Sequence, residues 1–438
     1  MEPAGRTPQP QREPRLWSLF THRDFTLLWS GGVLMSVSMV LRTLVSSQWL
    51  YDTTGSAAQL GLLGLVQFLQ MPVVLLGGTL ADAIDRKKLM VMTQGVSFLM
   101  LVALTLLAAT KTLHPWHIFA VTGVSGIVSM LGASARPAML PRVVPREQLT
   151  HAVSAQVVTF QAAGILGPIL FWQSYEQLGI TAAFAIAAAL ALASVLAPIL
   201  MRASGAPDPS ASRRTTVGSL KEGYRFVMGH RLLPGLYALD IGVVIFSYYR
   251  PLFPVFADQL YGLGARGTGL LNAADSAGSI LGTLVVLLTN KIRRKGLLVL
   301  AATLVFAALL FAFGFNHIFP LGLVIIAVLG AMDAISMTMR QAIVQLTTPD
   351  KLIGRASSAH SFAAMGANNL GQTTVGVLSG AIGAGNTMVL GGVVSLLVVG
   401  AIWQFMPGVR RYKYDPDHPY EKHEGSPAEP GVPSSPRT

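Results

Sequence analysis

Residues 77–89 read GGTLADAIDRKKL, a short and strongly charged stretch between two long apolar runs. About twenty apolar residues precede it and about twenty follow, which is the length a helix needs to cross a bilayer. The stretch is therefore predicted to be a tight loop at one membrane face. Its basic residues Arg86, Lys87 and Lys88 assign that face to the cytoplasm, because Lys and Arg accumulate in short cytoplasmic loops. Orientation alone does not require the acid Asp82, so Asp82 is a candidate for a mechanistic role.

The composition is that of a membrane protein with many spans. Of the 438 residues, 52% are hydrophobic and 12% are charged, about half the usual charge of a soluble domain. The formal net charge of +12 is carried by short loops, so it indicates membrane topology rather than nucleic-acid binding. The sequence has no cysteine, which excludes disulfides and Cys-ligated metal sites. It also has no H-E-x-x-H spacing and no phosphate-binding G-x-x-x-x-G-K-[ST] motif, so we predict no metal, no cofactor and no enzyme activity.

Twelve apolar runs occur at regular intervals, and each is long enough to form a transmembrane helix. An even number of spans puts both termini on one side, and the Lys and Arg residues of alternate loops assign that side to the cytoplasm. We therefore expect an all-α, multi-pass protein of the cytoplasmic (inner) membrane with both termini in the cytoplasm. The predicted spans are 25–50, 57–80, 88–110, 115–138, 150–173, 178–201, 232–257, 267–290, 296–314, 318–340, 356–383 and 386–406.

Changes in composition divide the chain into five predicted segments. Residues 1–16 and 407–438 are polar and proline-rich, and we expect disordered cytoplasmic tails there. Residues 17–201 and 232–406 each hold six predicted spans and form an N-terminal and a C-terminal bundle. Between them, residues 202–231 begin as a Gly/Pro/Ser/Ala linker and continue as an amphipathic interfacial helix.

The two predicted bundles repeat one another at a constant offset of 204 residues (282 − 78 and 340 − 136). A parallel repeat of two six-helix halves is typical of a transporter architecture whose substrate site lies between the halves near the bilayer midplane. The equivalent pairs are Gly78 and Gly282, Arg136 and Arg340, Gly126 and Gly330, and Gly167 and Gly371.

The charged loop resembles the loop between helices 2 and 3 of the major facilitator superfamily, with a glycine, then Leu80-Ala81-Asp82, then a basic triplet. Longer matches resemble one subgroup, the siderophore and drug exporters related to the enterobactin exporter. The resemblance covers roughly residues 20–405 and implies a twelve-helix fold of two six-helix bundles. The matching stretches are His22 to Phe25, Thr54 to Ser56, Arg136 to Glu147 and Asp333 to Gln341.

The resemblance also implies a gating role for five residues, Gly78, Asp82, Arg86, Arg136 and Arg340. In that scheme Asp82 engages Arg86 and the start of a second-half helix near residues 350–358. An acid that faces a helix N-terminus gains about 0.3 to 1 kcal/mol. Breaking this contact would accompany opening toward the cytoplasm.

Ionisable side chains within spans are expensive, so each one is a candidate functional residue. Asp333, Asp240 and Asp275 are the candidate proton-coupling residues, because an acid buried in the membrane can take up a proton from one side and release it to the other. Asp333 either has this role or is permanently paired with a base on a neighbouring helix. Arg250 and Asp275 form either a salt bridge that opens during gating or a pair that only neutralises its own charges.

Five further residues are candidates for a substrate cavity, namely Arg42, Gln161, Arg250, Tyr249 and Asn368. Arg42 has no acid in its own predicted span. It therefore either attracts an anionic substrate or extends its charge toward the membrane surface.

Gly164, Gly167 and Pro168 form a candidate bending point in the fifth span. Small residues allow helices to approach closely, and a proline removes one backbone hydrogen bond.

Together these features predict a secondary active transporter. We expect it to export a small organic molecule, siderophore-like or drug-like, by alternating access in a proton-coupled antiport, and to work as a monomer. The expected partners are the small-molecule substrate, protons and the lipid bilayer, with no nucleic acid. The alternatives are a facilitator or importer of a small solute, and a non-transporting membrane receptor on the same fold.

Overall fold

The structure is a computed structural model that describes residues 16–73, 84–133, 135–206, 217–230, 232–288, 292–349 and 352–413. The described part is helical and contains no strand, as the apolar pattern predicts. Its α-helices, numbered here in chain order, are α1 (Arg23–Thr54), α2 (Ala57–Leu69), α3 (Arg86–Ala109), α4 (Pro115–Gly132), α5 (Ala135–Val143), α6 (Leu149–Leu200), α7 (Val217–Gly229), α8 (Leu233–Ser247), α9 (Gly264–Leu288), α10 (Lys295–Phe313), α11 (Phe319–Thr347), α12 (Ile353–Ile382), α13 (Ala384–Phe405) and α14 (Pro407–Arg411).

Within the described residues these helices agree with the predicted spans, of which the second, 57–80, is described only up to Val73. The 52-residue helix α6 supplies the fifth and sixth spans, because its backbone leaves helical geometry at Gly179. The seventh span consists of α8 and the short turns that follow it up to Leu260. Within the described residues, nine helical stretches are both long and apolar enough to cross a membrane. The eleventh span, α12, has 30 residues and is not one of the nine.

The chain forms two compact units. Unit 1 comprises Met1–Trp49 and Gln70–Arg214, and unit 2 comprises Leu50–Leu69 and Thr215–Thr438. This division differs from the predicted boundaries, because residues 50–69 belong to unit 2. The physical reason is a close packing of α2 against α12, in which a Cβ atom added to Gly61 would lie 2.9 Å from the carbonyl oxygen of Thr373.

The internal repeat is visible in the backbone as well as in the sequence. Gly179 and Gly383 are 204 residues apart, and both have positive φ angles, 80° and 86°. Each connects the last two spans of its predicted bundle, where a side chain would strain the turn. Each unit also has one close contact of a glycine with a valine 127 residues earlier (167 − 40 and 371 − 244): Gly167 meets Val40, and Gly371 meets Val244. The same scaffold is therefore present twice.

The structure shows helices in two segments that were predicted to lie outside the bundles. Residues 407–438 were expected to be disordered, but α14 forms at their start and its Val409 is fully buried. The chain packs there because the carbonyl of Val409 closely approaches Gly296 at the beginning of α10. Helix α7 occupies part of the predicted linker and has its exposed side chains Lys221, Tyr224 and Arg225 on one side.

Candidate functional site

The seventh span is broken in its second half. Helix α8 ends at Ser247, and the chain continues as a 3-10 turn over Arg250–Leu252 and a π-turn over Phe256–Leu260. Pro251 and Pro254 have no backbone N–H, so the helical bonds to the carbonyls four residues earlier are lost. Broken helices inside a membrane protein are found where the backbone surrounds a buried site. The break turns the side chains of Tyr249 and Arg250 toward α9 and α11.

Arg250 joins two carboxylates from two different helices. Its Nε atom donates a hydrogen bond to Oδ2 of Asp275 at 2.8 Å, and its Nη2 atom donates to Oδ2 of Asp333 at 2.9 Å. The hydroxyl of Tyr249 donates to the other Asp275 oxygen at 2.5 Å. Asp275 is thus held twice and has a side chain only 10% exposed, whereas Asp333 is held once and is 31% exposed. Asp333 is therefore the more accessible acid of the pair.

Glycines on α9 and α11 explain why the two acids can meet at one arginine. A Cβ atom added to Gly278 or Gly282 would overlap the carbonyl oxygen of Ala327 or Ala331 on α11. A Cβ atom on Gly330 would overlap the backbone of Asp275. The helices can approach this closely only without side chains at these positions.

A second ion pair lies closer to the start of α8. Arg340 donates from Nη2 to Oδ1 of Asp240 at 2.8 Å, and both side chains are 7% exposed. The sequence predicted Asp240 as a proton-coupling residue and Arg340 as a gating residue, and the structure brings these two together. The Nε atom of Arg340 is buried and has no hydrogen-bond partner within the described residues.

A cavity of about 40 Å³ lies between the two ion pairs of unit 2. Arg250 and Asp333 line it at one end and Arg340 at the other, with Tyr249 and Asn368 also on its wall. Such a volume holds a few water molecules, whereas sites for organic ligands usually measure about 300–1,000 Å³. Arg250, Tyr249 and Asn368, predicted as substrate residues, thus surround a space suited to water and protons in this structure.

Arg136 and Arg42 of unit 1 form no ion pair with the residues that the structure describes. Arg136 donates from Nη1 to the carbonyl of Leu28 at 3.2 Å. With the amide of Gln94 turned so that both of its groups are satisfied, Nη2 of Arg136 donates to its oxygen at 3.2 Å. The amide nitrogen of Gln94 in turn donates to the carbonyl of Ser194 at 2.9 Å. Arg42 lies half-buried on α1 and has no ion-pair partner among the residues that the structure describes.

The charged loop at residues 77–89 is described from Ile84 onward, so Gly78 and Asp82 lie outside the described residues. Asp85 caps α3 by accepting hydrogen bonds from the backbone N–H groups of Lys87 and Lys88. Arg86 donates from its backbone to Gly205 at 2.8 Å and from its side chain to Ala206 at 3.0 Å. In this structure Arg86 therefore holds the chain segment that follows α6.

The remaining predicted residues lie in α6 of unit 1. Its backbone stays helical through Gly164, Gly167 and Pro168, and departs from helical geometry at Gly179. Gly167 provides a close contact with Val40. The bending role of this segment stays a prediction. Gln161 is half-buried.

Sequence reasoning missed His360. This residue lies on α12, is 7% exposed, and packs edge-on against the ring of Tyr237 with centroids 5.1 Å apart. Both Asp240 and Arg340 are within electrostatic reach of its imidazole. The available signal was a histidine in a span that is otherwise free of ionisable groups after Arg355.

Known proteins give consistent matches along the whole length of the chain. The model of the family described as transmembrane secretion effectors matches residues 15–426. The enterobactin exporter EntS of Citrobacter koseri is 26% identical over 415 residues, which cover 93% of this chain and 95% of that protein. EntS of Escherichia coli is 26% identical over 412 residues, which cover 92% and 94%.

Solved transporter structures have the same fold. A bacterial homologue of the human lysosomal transporter Spinster has a TM-score of 0.69 at 13% identity and covers 90% of this chain and 99% of its own. The D-xylose-proton symporter has a TM-score of 0.65 at 15% identity and covers 89% and 99%. With the family match over most of its length, the chain belongs to the transmembrane secretion effectors of the major facilitator superfamily, and it is a multi-pass membrane transporter rather than an enzyme.

Proposed function

We propose that this transporter exports a small organic molecule of the siderophore or drug type and that proton entry drives the export. The observation that carries the proposal is the Arg250 network, in which two acids share one arginine and Asp333 lines a water-sized cavity. The likeness to enterobactin exporters over more than nine-tenths of both chains supports the substrate class.

Asp333 is the proposed proton-coupling residue. It has one hydrogen bond to Arg250, whereas Asp275 is held by both Arg250 and Tyr249. A proton on Asp333 removes its attraction for Arg250 but leaves Asp275 in place as the anchor of that arginine. Protonation would thereby change the strength of one contact between α11 and the broken seventh span without leaving a buried arginine unpaired.

The driving force of such a cycle is sufficient for concentrative export. Each proton that enters contributes about 2.3 kcal/mol per 100 mV of membrane potential, before any pH gradient is added. Export then proceeds by alternating access between the two membrane faces, as in other transporters built from two repeated halves.

We also propose that the protein is a monomer in the bacterial inner membrane with both termini in the cytoplasm. The basic residues of the loop at 86–88 support this orientation. Reporter fusions to the two termini test it: a cytoplasmic fluorescent reporter should be active at both ends. Activity of a periplasmic reporter at either end would contradict the proposed orientation.

The export proposal is tested in Escherichia coli cells that lack their own enterobactin exporter. Expression of this chain should raise enterobactin in the medium and lower it in the cells, and a protonophore should reverse the effect. Ethidium retention is measured in parallel, and lower retention on expression would identify a drug exporter. A rise of either compound inside the cells on expression would indicate import and contradict the proposal.

A further inference from the structure

His360 lies in unit 2 where helices α8, α11 and α12 meet. The hydroxyl of Tyr237 on α8 donates to the carbonyl of Ala356 on α12 at 3.3 Å, so the beginnings of these two helices lie together. The ring of Tyr237 then packs edge-on against His360, one turn further along α12. Asp240 follows Tyr237 by three residues on α8, so it lies about one helical turn away.

Three ionisable groups lie at the same depth where these helices meet. Asp240 is seven residues from the start of α8, Arg340 seven from the end of α11, and His360 seven from the start of α12 (240 − 233, 347 − 340 and 360 − 353). At 1.5 Å per residue each is about 10 Å from its helix end. We call the face of unit 2 where α8 and α12 begin the linker face.

Few other ionisable groups surround His360. The helices packed against α12 are α2, α7, α8, α11 and α13, together with the turn at Arg250. Helices α2 and α13 contain no titratable side chain, and α11 contributes Asp333 beside Arg340. Helix α7 contributes Lys221, Tyr224 and Arg225, which are exposed, and its sequence also includes Glu222. Asp240 and Arg340 are the charged groups that act on the imidazole.

The bond between Asp240 and Arg340 can respond to a charge on His360. A neutral imidazole has one acceptor nitrogen, whereas a protonated one has two donors and no acceptor. A positive imidazole therefore repels the guanidinium of Arg340 and attracts the carboxylate of Asp240. Arg340 is already incompletely held, since its buried Nε atom has no partner in the described part of the chain.

We propose that His360 is a proton-exchanging residue that controls the Asp240–Arg340 ion pair. The imidazole takes up one proton from the cavity side, shares the carboxylate of Asp240, and weakens the hydrogen bond from Arg340. It then releases the same proton to water at the linker face, and Arg340 regains the carboxylate. This role rests on the proposed proton coupling and places the exit of the proton beyond Arg340, which lines the opposite end of the cavity from Asp333.

Hydrogen–deuterium exchange at the imidazole C2 position, read by mass spectrometry, tests this directly on the full-length protein in nanodiscs. The rate follows the protonation state, so it gives a titration curve for each histidine between pH 5 and 9. The His360 midpoint should fall in Asp240→Asn and rise in Arg340→Gln, because these changes remove an attracting and a repelling charge. His317, which is exposed in the loop before α11, is the matched control and should not move.

A His360 midpoint that stays constant in both variants would overturn the proposal, as would the absence of any titration in this pH range. If Asp240→Asn does not fold, the opposite shift in Arg340→Gln still decides the question. The exchange measurement requires no transport, so its result stands even if the wild-type protein moves no protons.

Transport provides the second readout. In proteoliposomes, the movement of enterobactin by His360→Gln should lose most of its dependence on pH, whereas His317→Gln should behave as wild type. A wild-type protein without pH dependence would refute the proton-coupled function. A pH-dependent wild type with an equally pH-dependent His360→Gln would refute the role of His360.

Discussion

Units 1 and 2 share the same helical scaffold, but they carry different polar side chains at similar places. In unit 1, Gly126 packs against the side-chain amide of Gln70, and in unit 2, Gly330 packs against Asp275. The glycines keep the same place, but the nearby polar side chain is a neutral amide in one unit and an acid in the other, one position further along the repeat (70 + 204 = 274). Asp275 also has an arginine to bind, whereas the position of Arg250 in the repeat is Ser46 in unit 1.

Arg340 and Arg136, which are equivalent in the repeat, also differ in whether their partner is charged or neutral. Arg340 pairs with Asp240 at 2.8 Å, whereas Arg136 binds the neutral carbonyl of Leu28 at 3.2 Å. Ser36 occupies the position in unit 1 that Asp240 occupies in unit 2. The repeat has therefore preserved the packing of both halves, and among the described residues the buried acids Asp240 and Asp275 both lie in unit 2. We therefore expect the proton chemistry of the described residues in unit 2.

Replacing Asp333 by Asn should have the largest effect. Losing one coupled proton removes about 2.3 kcal/mol per 100 mV, which lowers the attainable enterobactin gradient roughly 50-fold. The measurement is the ratio of enterobactin in medium and cells, at equal protein level. Ser129→Ala, at the equivalent position of unit 1, is the control and should change that ratio less than about twofold. Equal losses in both variants would remove the distinction between the units.

Asp240→Asn should destabilise the protein by about 3–5 kcal/mol, because it leaves the charge of Arg340 buried without a partner. The double variant Asp240→Asn with Arg340→Gln should recover part of that loss. Thermal unfolding, followed by tryptophan fluorescence in one detergent, measures both. Gln94→Leu in unit 1 should cost about 1–3 kcal/mol, since it removes a neutral acceptor from Arg136. A larger loss for Gln94→Leu would contradict the proposed division of charge.

Substitutions at the two close glycine contacts should have smaller effects, of similar size in the two units. Both Gly371→Ala and Gly167→Ala should destabilise by about 1–3 kcal/mol through overpacking. Gly371→Ala should cost more, because its new Cβ would lie 2.6 Å from the carbonyl oxygen of Val244. At Gly167 the obstacle is the side chain of Val40, whose Cγ1 can move by rotation, although its Cβ, 2.8 Å away, can move only with the backbone of α1. The same unfolding assay ranks the two, and the reverse order would show that the units do not pack alike.

Arg86→Ala should have the smallest effect. In unit 1 this arginine binds the carbonyl of Ala206 at an exposed site, which is worth about 0.5–1.5 kcal/mol. Export should stay within about twofold of wild type if the role is only to hold this segment. A large loss of export at unchanged stability would instead support the gating role that the family resemblance implies.

Much of the fold could be predicted from the sequence, because span length and basic loops are local signals. The repeat offset also identifies Gly167 and Gly371 as equivalent positions. The pair of Arg250 and Asp275 was predictable, since the two residues lie at matching depth in adjacent spans. The additional bond from Arg250 to Asp333 was not, because it depends on how closely α9 and α11 approach.

The grouping of Asp240, Arg340 and His360 could not be predicted from the sequence for a related reason. Asp240 and Arg340 were each assigned a separate role, and their pairing depends on the rotation of α8 and α11 about their axes. His360 gave a weak signal because a single histidine in a span has no periodicity to interpret. Its proposed role follows from its contact with Tyr237 of α8, which places His360 near Asp240.

The most direct test of proton coupling uses purified protein in liposomes that contain the pH-sensitive dye pyranine. When enterobactin is added outside and moves inward, an antiporter must carry protons outward, so the lumen should become more alkaline in wild type and not in Asp333→Asn. A lumen that becomes more acidic would show symport. A wild-type protein that moves enterobactin with no change in lumenal pH would contradict the account.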